Sequence, residues 1–299
     1  SGLLDLLRFQ LAKFAIGGDQ MRRFTETLLQ ATHAHLEALY RELMAPLLPL
    51  LENVRHLVIV PHGNLHYLPF HAIRAGDEFL CDRFAISYAP SAQMFAVCQS
   101  RRATARGGSL IMGIPDQRAP QILAEVQCVA GLLPQPQLLI GSRATAAALR
   151  EKGPEIDLLH IATHGTYRQD NPMFSSIRLG DGYLNLFDLS QMHLAASLVA
   201  LSGCATGMNV VAGGDELLGL QRGLLRAGGA SLLLSLWDVN DRSAAELMRH
   251  FYESFVKTGS APRALQIAMQ ELRRNHPHPY FWAPFILVGR ITDSRDLSA

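Results

Sequence analysis

The sequence predicts an α/β protein with a mainly parallel central sheet, helices on both of its faces, and a helical segment in front of it. Three observations carry this. Short runs of continuous apolar residues, such as 56–60, 197–201 and 230–236, have the composition of strands buried on both faces. Amphipathic stretches at helical spacing alternate with them. Several runs lead straight into turn residues, as in Thr163-His164-Gly165 and Ser202-Gly203-Cys204.

The elements follow in order. Leu3, Leu4, Leu7, Leu11 and Phe14 recur at helical spacing until Gly17-Gly18 stops them. A second helix spans about 21–44, with Phe24, Leu28, Leu36, Leu39 and Leu43 on its apolar side, and Pro46 and Pro49 close it. Strands are expected at 56–60, 85–88 and 109–113, each ending at or near a proline. A helix over 121–133 stops at Pro134, and a short one over 145–151 stops at Gly153-Pro154. Strands 156–162, 197–201, 230–236 and 285–288 complete the sheet. Helices 215–226, 243–256 and 262–275 lie between or after them.

Composition narrows the function. Apolar residues make up 48% and charged residues 18%, enough for a large core. The net charge of +1 and the 7% aromatic content give no reason to expect nucleic acid or an anionic membrane as partner. No apolar run approaches the length of a bilayer span. The opening Ser-Gly-Leu-Leu-Asp lacks the basic-then-apolar order of a signal peptide, and Ser1-Gly2 reads as a cloning scar on a piece of a longer protein. Of the cysteines Cys81, Cys98, Cys128 and Cys204, none forms a C-x-x-C pair, which argues against zinc and iron–sulfur sites and fits a reducing cytoplasm. Cys81, Cys98 and Cys128 read as small buried apolar residues.

His164 and Cys204 carry the chemistry. Each follows a predicted strand, and in open α/β sheets the active site lies beyond the carboxyl ends of the strands. A thiol is mostly protonated at neutral pH, and a neighbouring imidazole can take its proton and later protonate a leaving amine. Gly165, Gly203 and Gly207 flank the two side chains and permit tight turns. The N–H groups of Gly165 and Cys204 are the candidates to bind an oxyanion. Taken singly, a cysteine after a strand is more often structural, and a His-Gly pair at a strand end is a common loop. Together, His first and 40 residues before the Cys, they make a candidate dyad in the caspase order.

The segments Ile161-Ala-Thr-His-Gly165, Leu201-Ser-Gly-Cys-Ala-Thr-Gly207 and Leu234-Ser-Leu-Trp-Asp-Val-Asn-Asp241 resemble the CHAT family of peptidases, caspase-like domains often found beside TPR repeats. So do Val60-Pro-His-Gly-Asn-Leu-His-Tyr-Leu-Pro-Phe70, Tyr88-Ala-Pro-Ser91, Phe251-Tyr252 and Phe281-Trp-Ala-Pro-Phe285, so the resemblance covers about 54–290. It implies a caspase-like fold, a His164–Cys204 dyad and a cytoplasmic cysteine endopeptidase that needs no metal or organic cofactor. With the change from helical to strand patterning near Val54, the chain divides into a helical segment, 1–52, and a peptidase domain, 53–299, with subregions of about 53–140 and 141–299. The resemblance also implies a dedicated protein substrate, such as a gasdermin-like effector, restraint by a TPR or associated module, and a place in bacterial defence. The residue before the nucleophile is often Ala in the family and is Gly203 here. Some relatives in the wider clan carry an acid two residues before the Cys, where this chain has Ser202. The substrate-binding candidates are therefore Ser202, Asp238 and Asp241, an unpaired carboxylate favouring Arg or Lys. Against this, Asp241 suits the cap of the helix expected from 243.

Other features have plainer readings. Gly213-Gly-Asp-Glu216 suits the start of a helix with acids in its first turn, in preference to a loop over the site. His62, His66 and His71 lack the spacing of a metal site, and His62 and His66 read as structural. His276 and His278 flank Pro277 in what looks like an exposed loop. An α/β-hydrolase is disfavoured, because Ser202 stands where that fold needs Gly and the expected His precedes the nucleophile. A caspase-like module that only binds partners is the remaining alternative.

Overall fold

The computed structural model describes residues 2–16, 24–101, 107–166, 168, 170–203, 210–212 and 216–291. Eight strands form one sheet: β1 (His56–Ile59), β2 (Ala85–Tyr88), β3 (Ser109–Gly113), β4 (Pro136–Ile140), β5 (Leu158–Ala162), β6 (Leu198–Ser202), β7 (Ser231–Ser235) and β8 (Phe285–Gly289). Their spatial order is β1-β2-β8-β7-β6-β5-β3-β4. The β7–β8 pairing is antiparallel and the others are parallel. The strands after residue 140 occupy the middle, with β1–β2 at one end and β3–β4 at the other.

Every residue of β3, β5, β6, β7 and β8 is buried, so both faces of the central strands are covered. This is why these strands read as unbroken apolar runs. Helices α1 (Gly2–Ile16), α2 (Thr25–Leu39), α3 (Ala92–Ser100), α4 (Gln121–Leu132), α5 (Ala146–Lys152), α6 (Leu220–Ala227), α7 (Asp241–Thr258) and α8 (Ala261–Asn275) surround the sheet. α7 packs on both α4 and α8. The expected α/β architecture, a mostly parallel sheet flanked by helices, is the one observed.

The sequence explains the ends of several helices. Ser91 and Thr145 accept the N–H groups of Met94 and Ala148 and so cap α3 and α5. α6 ends at Gly228, whose φ is +117°, and a Cβ there would meet the Leu194 carbonyl oxygen. α1 is docked by the stripe Leu4, Leu7, Leu11 and Phe14, all buried. Phe14 stacks on Tyr280, with ring centroids 5.3 Å apart, and contacts the His278 ring at 4.1 Å.

Four expectations need correction. The helix expected from 215 begins at Leu220, and Glu216–Leu218 is instead a strand paired antiparallel with Val210–Ala212. Residues 213–215 lie outside the described residues. The second helix is α-helical to Leu39 and finishes as a π-helical turn over Tyr40–Met44, closed by Ala45 N–H donating to the Tyr40 carbonyl. β4 was not expected; it opens on Pro136, which an edge strand tolerates at its first position. His278 is fully buried: its Nε2 meets Thr32 Oγ1 at 3.1 Å and its Nδ1 accepts the Tyr280 N–H at 3.1 Å. The loop reading missed it because its partners come from α2 and the docked α1, far away in sequence.

Candidate active site

Parallel pairing brings the carboxyl ends of β3, β5, β6 and β7 to one edge of the sheet. The register aligns the candidates: Ala162 pairs with Ser202 in β6 and with Gly113 in β3. His164 is two residues beyond Ala162, and Cys204 is two beyond Ser202 in sequence. Cys204 itself, with Gly207, lies outside the described residues. The approach to it is described. Ser235 Oγ at the end of β7 donates to the Gly203 carbonyl, and Thr163 N–H donates to the Ser202 carbonyl at 3.0 Å. Neighbouring strands on both sides thus fix the backbone just before the cysteine.

His164 is held from two directions. Its Nε2 lies 3.1 Å from Asp116 Oδ1, three residues beyond β3. The other carboxylate oxygen, Oδ2, receives Arg178 Nη1 at 2.7 Å. The backbone is tied as well: Arg178 N–H donates to the His164 carbonyl, and Thr163 Oγ1 donates to the Arg178 carbonyl at 2.6 Å. Arg178 sits on the strand Ser176–Leu179, between Gly165–Thr166 and Gly182–Asn185 in a small antiparallel sheet. Asp116 is held at about 2, below the ordinary carboxylate range, chiefly by the His164 hydrogen bond, with the N–H groups of Arg118 and Ala119 assisting. An ionised Asp116 keeps the Nε2 proton on its own side, which leaves Nδ1 as the ring atom able to accept another.

Gly165 pairs with Ile177, flanked by the Arg178-to-His164 hydrogen bond. In an antiparallel ladder this makes Gly165–Ile177 a non-hydrogen-bonded pair, so the Gly165 N–H points away from that strand.

The other predicted residues separate. Ser202 is buried at the end of β6 and offers no charge. Asp238 is exposed and lines a cleft of about 670 Å³ together with Trp237, Gly165 and Thr166. Trp237 is fixed there by its Nε1–H bond to the Tyr280 carbonyl, 3.1 Å long. Asp241 does not cap α7; Asn240 does, accepting the Ser243 N–H. Asp241 is the first residue of α7, and its Oδ2 accepts the backbone N–H of Gln121, the first residue of α4, at 2.8 Å. Burial pushes its carboxyl up, partly offset by that N–H. It is therefore committed to α4, where the helix dipole favours it.

Sequence reasoning missed Asp116 and Arg178. Asp116 directly follows Ile114-Pro115 at a strand end, but nothing in the sequence says that its strand lies beside that of His164. A second cleft of about 500 Å³, also lined by Gly165 and Thr166, holds His164, Asp116, Arg178, Arg118 and Tyr183. Burial raises the thiols of Cys81, to about 12, and of Cys98 and Cys128. Among the described residues no group of three or more His, Cys, Asp or Glu side chains could hold a metal ion, and no helix is long and apolar enough to cross a membrane.

Comparison with known proteins agrees with the fold. Among solved structures, the chain is similar to the separase–securin complex of Saccharomyces cerevisiae, with a TM-score of 0.59 and 18% identity over 80% of this chain and 16% of that one. It is also similar to the Arg-specific cysteine proteinase gingipain R, with a TM-score of 0.60 and 10% identity over 88% of this chain and 67% of that one; gingipain RgpB comes from Porphyromonas gingivalis. The chain thus spans only a small part of separase, and at these identities the likeness establishes the caspase-like fold. No curated protein matches the chain. The CHAT domain model matches residues 33–290, and the chain belongs to the CHAT domain family.

Proposed function

We propose that the chain is a cysteine endopeptidase in which His164 and Cys204 form the dyad. One observation carries this reading: the Ala162–Ser202 register, which sets the ends of two adjacent parallel strands side by side, with His164 and Cys204 each following two residues later in sequence. His164 Nδ1 takes the Cys204 thiol proton, and the thiolate attacks the scissile carbonyl. The oxyanion is received by the N–H groups of Gly165 and Cys204. The C–N bond breaks as the imidazolium protonates the leaving amine, giving a thioester. Water, deprotonated by His164, then hydrolyses the thioester and restores the thiol. Asp116 orients the ring and stabilises its cationic form.

The exposed Asp238 beside Gly165 favours substrates with Arg or Lys next to the scissile bond, while the buried Ser202 adds no charge and Asp241 is committed to the N-terminus of α4. The neighbouring fold of an Arg-specific proteinase supports the same preference. By family analogy the substrate is a dedicated cytoplasmic protein, of the gasdermin-like effector kind, and activity is controlled by a TPR or associated module in a defence pathway.

A P1-scanning fluorogenic peptide screen on the wild type and on Cys204→Ala tests this. Cleavage should occur after basic residues and vanish in the variant. Cleavage that persists in Cys204→Ala removes the nucleophile assignment. A caspase-like module that only binds partners would cleave nothing.

A further inference from the structure

The 670 Å³ cleft beside Gly165 has one wall that the family match does not contain. That match begins at residue 33, whereas α1 spans Gly2–Ile16. Leu7 and Leu11 of α1 are buried against the body, and the exposed Asp5, Arg8 and Phe9 line the cleft opposite Trp237 and Asp238. The chemistry is mixed in a specific way. Asp5 and Asp238 offer two carboxylates, while Arg8 lays its guanidinium over the Tyr67 ring, 4.8 Å from the centroid. The cleft wall therefore already seats one cationic group on an aromatic face, with acids nearby.

We propose that α1 is a specificity element of the protease. Its Asp5 carboxylate, acting with Asp238, selects a substrate side chain with an apolar stem and a cationic end, and the Arg8 cation on the same wall opposes that selection by repulsion. This rests on the protease reading and extends it to a segment outside the family match. The occupant is a Lys or Arg side chain of an extended peptide. Its ammonium or guanidinium meets the two carboxylates, and its methylenes lie along Trp237 and Phe9.

The test uses the full chain and two irreversible probes, acetyl-Ala-Ala-lysyl chloromethyl ketone and its norleucine analogue, which differs at the amine. Labelling of Cys204 is followed by mass spectrometry, and the quantity read is the ratio of second-order rate constants, lysine over norleucine. The wild type should show a ratio of about tenfold or more, as expected of a charge-assisted contact. Asp5→Asn should reduce the ratio roughly threefold and Arg8→Gln should raise it by a similar factor, as for exposed ion pairs. Both side chains are exposed, so the variants are expected to fold, and thermal unfolding checks this. A wild-type ratio near one, a ratio indifferent to Asp5→Asn, or both variants moving it in the same direction overturns the proposal. A ratio that responds to Asp238→Asn alone leaves the protease reading standing and removes α1 from it. If neither ketone labels Cys204 while iodoacetamide does so faster than at the other cysteines, the cleft proposal fails by itself. If iodoacetamide shows no preference for Cys204, the protease reading fails first.

Discussion

Asp116 Oδ1 lies 3.1 Å from His164 Nε2, and the same carboxylate holds Arg178 through its other oxygen. This fixes the ring's plane and its tautomer together. In Asp116→Asn the amide can present an N–H to Nε2, favouring the tautomer with the proton on Nδ1, where a base is needed. Peptidase activity should fall by about 10²–10⁴-fold, the range of a positioned acid–base group, with little change in KM. Arg178→Gln leaves Asp116 on His164 and should cost less. The two variants' kcat values against pH check this; an Asp116→Asn enzyme within a fewfold of the wild type would remove Asp116 from the machinery.

Cysteine reactivity should separate one thiol from three. Cys81 is buried and raised to about 12, and Cys98 and Cys128 are raised in the same direction, so all three are overwhelmingly thiol at pH 7. Cys204 paired with His164 should be alkylated by iodoacetamide at least about tenfold faster than any of them, and His164→Ala should abolish that advantage. Peptide mapping after brief labelling gives the four rates. Equal slowness at all four would favour a module that only binds.

Acid should loosen the fold before it reaches Asp116. His71 and His278 are buried and neutral, and burial lowers each from 6.5 to about 4. The His71 network is complete without a second proton: Nε2–H donates to the Ala283 carbonyl and Nδ1 accepts from Tyr88. The unfolded chain binds these protons more readily than the folded one between pH 6.5 and 4. Their stabilising effect is therefore full above that window and lost as pH falls through it, by up to about 3 kcal/mol for each His. The Asp116 carboxyl, lowered to about 2, contributes losses only below its ordinary value of 3.8. Urea midpoints at pH 7.5 and 4.5 measure the difference. His278→Gln should flatten the slope, and a wild-type midpoint unchanged between the two pH values contradicts this account.

The strands were legible because burial on both faces leaves a continuous apolar signature: 85–88 and 109–113 are expected and observed with the same bounds. His164 was legible because it sits in line with its own strand. Two features missed in the sequence depend on partners distant in it: Asp116 gains its meaning from the β3–β5 pairing, and His278 from Thr32 and Phe14. Glu216 is a local case, paired with Ala212 four residues before it in a short antiparallel ribbon. A one-dimensional pattern reports what a segment buries; which neighbour it meets is a property of sheet order.

Asp241 supplies the last prediction, since its observed partner differs from both sequence expectations. As the first residue of α7 it receives the Gln121 N–H, joining the N-termini of α4 and α7 where both dipoles favour a negative charge. α4 follows directly from the loop that holds Asp116, so Asp241 braces the segment that orients His164. Asp241→Ala should lower stability by about 1 kcal/mol, the scale of a lost helix cap. Asp241→Asn keeps the acceptor and should recover most of that loss. Asn240→Ala removes the α7 cap alone and should cost a similar amount. Denaturant titration of the three variants gives the stabilities, and peptide selectivity separates the roles: a brace leaves the preference for basic over neutral peptides intact in Asp241→Asn, whereas a carboxylate in contact with substrate would lose it.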